Sequence, residues 1–160
     1  MNIFYRRAAV VFLTSACVFS IGGVIVFGKG NFTLKDIKVR VFDNAKNTVT
    51  DKETNGYGNG MDIFLSVLIS QDAESENTYT VTVEGFGKGR DNEAEGTVED
   101  YKVKESREIK LYTRDPIYIP FVLEYPCAEE TNYTVTITQK DTGKKLTKTV
   151  KSPHGFCSLN

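Results

Sequence analysis

Alternation with a period of two residues runs through most of the chain and constrains its fold more than any other feature. Apolar side chains take every second position at Ile37, Val39 and Val41, at Ile63, Leu65, Val67 and Ile69, and at Tyr79, Val81 and Val83. The pattern returns at Ile109 and Leu111, at Ile117, Ile119, Phe121 and Leu123, at Tyr133, Val135 and Ile137, and more thinly at Leu146 and Val150. On an extended chain such residues share one face, whereas on a helix they scatter around the axis. Seven strands are therefore predicted, and no window after Gly28 sustains helical spacing.

β-branched threonines fill the opposite face in TYTVTVE and NYTVTITQK, where a half-exposed pleated surface suits them. Phe64 and Leu68 break that rule by placing apolar groups on the second face of the second strand. Such a strand is central in its sheet or lies beside a contact surface. Lys140-Asp141-Thr142-Gly143-Lys144 supplies a glycine-containing turn, so the last two strands are expected to form a hairpin. Short strands at this density predict an all-β, two-sheet sandwich over residues 36–152. In pattern the domain resembles immunoglobulin-like and fibronectin type III-like modules, with Tyr133 placed where such folds set a tyrosine corner. That superfold hosts many functions and implies none.

Ahead of the alternating region, residues 8–28 carry no charge over 21 positions. A helix of that length extends about 31 Å, which matches the hydrocarbon core of a bilayer. The expected organisation is a short cytoplasmic stretch over 1–7, a transmembrane helix over 8–28, a linker over 29–35, the sandwich, and a tail over 153–160. A cleaved signal peptide is the rival reading, although its apolar region is usually shorter. Ala9, Ala16, Ser20 and Gly23 put small side chains on one face of the helix, which would let another transmembrane helix approach closely. Arg6 and Arg7 favour a cytoplasmic N-terminus, but Lys29, Lys35, Lys38 and Arg40 follow the apolar run closely, so basic residues alone do not orient it.

The cysteines bear on orientation. Apart from Cys17 the chain has only Cys127 and Cys157, and a bridge between them would close a loop of about 30 residues, worth roughly 3 to 4 kcal/mol on the chain-entropy model. Such a bridge belongs in an oxidising compartment. The sequons at Asn31-Phe32-Thr33 and Asn132-Tyr133-Thr134 add weakly to the expectation of an exported domain.

Two glycine-rich stretches share the form G-aromatic-G-x-G-x-D, at residues 56–62 and 85–91. A phosphate-binding reading needs a helix after the glycines, and the first copy leads into a strand. Flexible loops with glycines at positive φ are the expected role. Around the first copy, Asp51, Glu53, Asn55 and Asp62 fall at positions 1, 3, 5 and 12 of a loop with glycine at 6, a spacing that can wrap a calcium ion. The match is partial, because position 12 is normally Glu and the flanks here are extended.

The part of the chain after Gly28 carries 18 basic and 21 acidic residues, a net of −3, without a basic stripe interleaved with aromatics. Nucleic acid is therefore not an expected partner. His154 is the sole histidine, no Gly-x-Ser-x-Gly is present, and no cofactor is expected apart from the calcium alternative, so the chain is read as non-catalytic. The expected function is a single-pass membrane-anchored, extracytoplasmic sandwich that serves as a structural or accessory subunit of a membrane complex or surface appendage. Its partners would be the membrane and other subunits, met through the transmembrane helix and exposed sheet edges. The alternative is a secreted or surface-held recognition module that binds a ligand, glycan or calcium through its acidic loops.

Overall fold

The computed structural model describes residues 30–52, 60–89, 91–92, 96–97, 100–126, 128 and 130–154. Along them run ten strands: β1 Phe32–Asp43, β2 Thr48–Thr50, β3 Met61–Gln71, β4 Asn77–Lys88, β5 Asp91–Asn92, β6 Gly96–Thr97, β7 Tyr101–Leu111, β8 Ile117–Glu124, β9 Glu130–Gln139 and β10 Lys145–Lys151. Two four-stranded sheets result, ordered β2-β1-β3-β8 and β10-β9-β4-β7, beside a small β5-β6 ribbon. Every pairing is antiparallel. All seven alternating segments of the sequence lie in long strands. Among the described residues no helix is long and apolar enough to cross a membrane, and residues 8–28, with Ala9, Ala16, Ser20 and Gly23, lie outside them.

The chain crosses between the two large sheets three times, after β3, β7 and β8, and β5 and β6 form their ribbon between β4 and β7. Gly30, the 72–76 turn, the 112–116 turn and the 140–144 turn therefore gather at one pole. The connections after β1, β2, β4 and β8 gather at the other, where β10 also ends. The predicted final hairpin is present, with Gly143 at φ 68° and its N–H donating to the Gln139 carbonyl at 2.8 Å.

Inward-facing residues of both sheets form one apolar cluster, the arrangement of a β-sandwich. Val41, Ile63, Leu65, Val67 and Ile69 meet Tyr79, Val81, Val83, Tyr133 and Ile137, all inaccessible to solvent. Burying each aliphatic side chain contributes about 1.5 to 3 kcal/mol, which is how a period-two sequence becomes two packed layers.

One end of this core is polar. The Tyr79 hydroxyl donates to Gln71 Oε1 at 3.0 Å, Asn77 Nδ2 donates to the same oxygen at 3.0 Å, and Gln139 Nε2 donates to Asn77 Oδ1 at 3.1 Å. Gln71 Nε2 donates in turn to the carbonyls of Ala73 and Ser75, at 2.7 and 2.8 Å. Gln71 belongs to the first sheet and the other three to the second, so the network joins the layers while closing the 72–76 turn. Phe32 covers it with an edge-on contact to Tyr79, 5.2 Å between ring centroids.

Three features depart from the sequence reading. β1 begins at Phe32, inside the stretch read as a linker, because a bulge between Leu34 and Asp36 shifts its register. Lys35 is the extra residue, so the inward parity flips and Phe32 reaches the core from an even position. Second, Gly85 and Gly87 lie within β4 and are absent from the positive-φ glycines, which are Gly60 and Gly143 among the described residues. Their role is space: a Cβ at Gly85 would stand 2.7 Å from both the Tyr133 ring and Val103, and one at Gly87 would stand 2.6 Å from Ala128. Third, β7 extends far beyond Ile109 and Leu111, because Glu105 and Arg107 occupy inward-parity positions where the strand overhangs the core. Arg107 lies over the Phe121 ring, 5.1 Å from its centroid.

The margins at β8, β7 and β10 resist strand addition, whereas β2 pairs only Val41–Asp43 and leaves the rest of β1 without a neighbouring strand on that side among the described residues. β2 has three residues, β8 carries Pro120, β7 carries the inward-parity charges, and β10 carries Lys145, Lys148 and Lys151. Short edges, proline, lysine and inward charge each disfavour pairing with another chain.

Candidate functional site

The two outer faces of the sandwich differ in chemistry. On the second sheet, pairing aligns Thr82 with Ser106 and Thr136, and Thr136 with Thr147. Hydroxyls bond to one another at 2.9 Å for Thr82 and Ser106, 2.9 Å for Thr134 and Thr149, and 3.2 Å for Thr136 and Thr147. Lys104–Glu84 and Lys140–Glu108 add ion pairs, so this is a solvated surface broken only by Phe86, 49% exposed.

On the first sheet the same parity mixes apolar residues with charged ones, Asp36, Lys38, Arg40, Asp62 and Glu124. Pairing sets Leu68 beside Tyr118, Ser66 between Lys38 and Pro120, and Phe64 between Arg40 and Val122. Phe64 and Leu68 are half-buried, while Tyr118 and Val122 are 58% and 46% exposed. One row further, Phe42 stands beside Val49, itself 38% exposed. Lys38, Arg40, Phe64, Ser66, Tyr118 and Pro120 line an open groove of about 410 Å³. Apolar side chains thus take positions on this face that hydroxyls and ion pairs take on the other.

The groove has a polarity. Its apolar floor comes from β3 and β8, and both of its cations come from β1. Arg40 Nε lies 3.0 Å from Asp51 Oδ1, a solvent-exposed pair of small net worth. Lys38 has no ion pair among the described residues.

Two of the four calcium-loop residues, Asp51 and Asp62, are described. Asp51 contacts Arg40, and Asp62 Oδ2 accepts a hydrogen bond from Asn44 Nδ2 at 3.0 Å. Glu53 and Asn55 lie outside the described residues, as do Cys127 and Cys157. Among the described residues no group of three metal-ligating side chains occurs. His154 donates its backbone N–H to Ser152 Oγ at 3.0 Å in a turn after β10.

Tyr133 is fully buried on β9, but its hydroxyl has no hydrogen-bond partner among the described residues, so the polar contact of a tyrosine corner is not made there. Burial pushes its pKa upward and pushes that of the neighbouring Tyr101 up to about 12, so both stay neutral near neutral pH. Tyr101 instead joins the sheets, its hydroxyl donating to the Glu124 carbonyl at 2.8 Å. Tyr133→Phe is accordingly expected to leave the urea midpoint unchanged or raise stability by about 1 kcal/mol. A loss above that size would reveal a hydrogen bond to the Tyr133 hydroxyl.

Sequence reasoning caught Phe64 and Leu68 by their parity but missed Tyr118, Pro120 and Val122. Their strand also alternates apolar residues inward, so IYIPFVLE reads as one long apolar run and hides its two-faced character. Comparison with protein-family models and with curated proteins found no match for the chain.

Proposed function

We propose that the protein is a non-catalytic accessory subunit whose immunoglobulin-like or fibronectin type III-like sandwich is held outside the cytoplasm by the 8–28 segment and docks a partner protein on the outer face of its first sheet. One observation carries the reading: Phe64, Leu68, Tyr118 and Val122 sit where the equivalent positions of the other sheet hold threonines and charges. The topology supports the finer fold assignment, because β1-β3-β8 and β10-β9-β4-β7, with the three-residue β2 added at the margin of the first, give the three-plus-four layout with Greek-key connections.

The bridge between Cys127 and Cys157 belongs to the same proposal. Ser152 N–H donates to the Thr131 carbonyl at 2.8 Å, extending the β9–β10 pairing one step past Lys151 and Asn132. Cys127 precedes Thr131 by four positions and Cys157 follows Ser152 by five, which supports their meeting at the pole where β10 ends. A photo-crosslinking amino acid placed at Tyr118 in cells should give a discrete protein adduct in the membrane fraction, and one at Thr136 should give none. Intact mass of the same preparation should include residues 1–28 and rise by two alkyl groups at these cysteines only after reduction. Equal labelling from both faces, or none from Tyr118, refutes the docking face; loss of residues 1–28 refutes the anchor; alkylation without reduction refutes the bridge.

A further inference from the structure

We infer that Asn132 is an acceptor for N-linked glycosylation and that the first sugar of its glycan lies on the exposed ring of Phe86. The inference rests on the extracytoplasmic reading above and adds a covalent modification on the sheet opposite the proposed docking face.

The two sequons are not equivalent in the fold. At Asn31 the side-chain oxygen accepts a hydrogen bond from Lys144 Nζ at 2.7 Å, and the same ammonium lies 5.5 Å from the centroid of the Phe32 ring. The backbone there is tied down as well, since the Asn31 carbonyl accepts from Asp72 N–H at 2.9 Å. A glycan on Asn31 would displace Lys144 from both contacts. Asn132 is different. It lies on β9 with its side chain exposed, between the buried Thr131 and Tyr133. Its side-chain amide makes no hydrogen bond among the described residues, so bulk attached there extends into solvent without breaking a contact.

Phe86 supplies the second argument. Pairing sets it directly opposite Asn132, which places their Cβ atoms about 5 Å apart. Among the described residues of the second sheet's strands it is the one exposed large apolar side chain, in a surface otherwise made of hydroxyls and ion pairs. A single ring is too small a patch for a protein partner, which needs roughly 800 Å² from each side. It matches one sugar ring, whose C–H hydrogens meet the negative face of the aromatic. On the other side of Asn132, Lys151 is held by Glu130 at 2.8 Å, which leaves the Phe86 side open to the sugar.

In the transfer, the Asn132 amide nitrogen bonds to C1 of an oligosaccharide carried on a polyprenyl diphosphate. The bond from C1 to the diphosphate oxygen breaks, the lipid diphosphate leaves with the electron pair, and the amide loses one proton. Transfer precedes the folding of β9, because the folded strand is paired on both sides and holds Tyr133 inaccessible.

Peptide mass spectrometry on the full chain isolated from its own cells tests the inference. The peptide containing Asn132 should carry added sugar masses, lost in Asn132→Gln and in Thr134→Ala, while the peptide containing Asn31 should be bare. Asn132→Gln should lower the melting temperature by about 3 °C, and should leave it unchanged once Phe86 is alanine. Lys140→Asn in the Asn132→Gln background is the control, since it completes a sequon with Thr142 on the exposed final turn. Sugar at position 140 with a bare Asn132 in the parent would overturn the site and leave export standing. Sugar at neither position would overturn the modification, and protease digestion of the domain on intact cells would judge the extracytoplasmic reading separately. A glycosylated Asn132 whose loss costs as much in Phe86→Ala as in the parent would overturn the contact with Phe86.

Discussion

Asn77→Ala should lower the stability of the domain by about 3 kcal/mol, read as a shift of the urea midpoint at unchanged slope. Asn77 is 2% exposed and sits at the centre of the polar network between the sheets. Its Nδ2 donates to Gln71 Oε1 and to Ser75 Oγ, at 3.0 and 3.1 Å, and its Oδ1 accepts from Gln139 Nε2 at 3.1 Å. Alanine removes those bonds and leaves a buried amide donor on Gln139 without an acceptor, which costs the desolvation of that group as well as the bonds. Coupling should show in a double-mutant cycle, where Gln139→Ala costs much less once Asn77 is already alanine. Additive effects, or a single-variant loss below about 1 kcal/mol, would mean that water takes the place of the amide.

The second large effect compares two neighbouring positions on one strand. Phe121→Ala is expected to cost about 4 kcal/mol, since the ring is 1% exposed among both sheets and its removal leaves a cavity beneath Arg107. Tyr118→Ala, on the other face of β8 and 58% exposed, should cost under about 0.5 kcal/mol. Thermal melts of the two variants measure the contrast. Its outcome decides how binding data on the face are read, because a Tyr118 variant that lost several kcal/mol would turn a docking residue into a structural one.

Much of this fold could be read from parity alone. Seven segments alternate, and each found its strand, because an amphipathic extended segment has only one economical way to hide its apolar side. The failures share a cause. At Lys35 a bulge adds a residue and inverts the parity, so the start of β1 was missing from the pattern although Phe32 is 4% exposed. At Gly85 and Gly87 the inward position is filled from across the sheet by Tyr133 and Ala128, and their missing side chains looked like flexibility. The polar network is invisible to hydropathy, since Gln71, Asn77 and Gln139 read as surface residues until three strands bring their amides together. The proposed docking face was half legible. Phe64 and Leu68 contradicted their strand's expected polarity, whereas Tyr118 and Val122 were lost in an unbroken apolar run.

The path of the chain through the sandwich also has a mechanical meaning. It enters beside the 72–76 turn, where Asp72 N–H meets the Asn31 carbonyl at 2.9 Å, and leaves β10 at the opposite pole beside Thr131. Tension between an anchored N-terminus and a partner gripping the far end would pull β1 along its own axis against β3. The ladder between them holds eleven paired positions with bonds lying across the direction of pull. Sliding the strand stretches those bonds together, where peeling from one end would break them in turn. A load applied that way would meet more resistance along the strands than one prying the ladder open from the side.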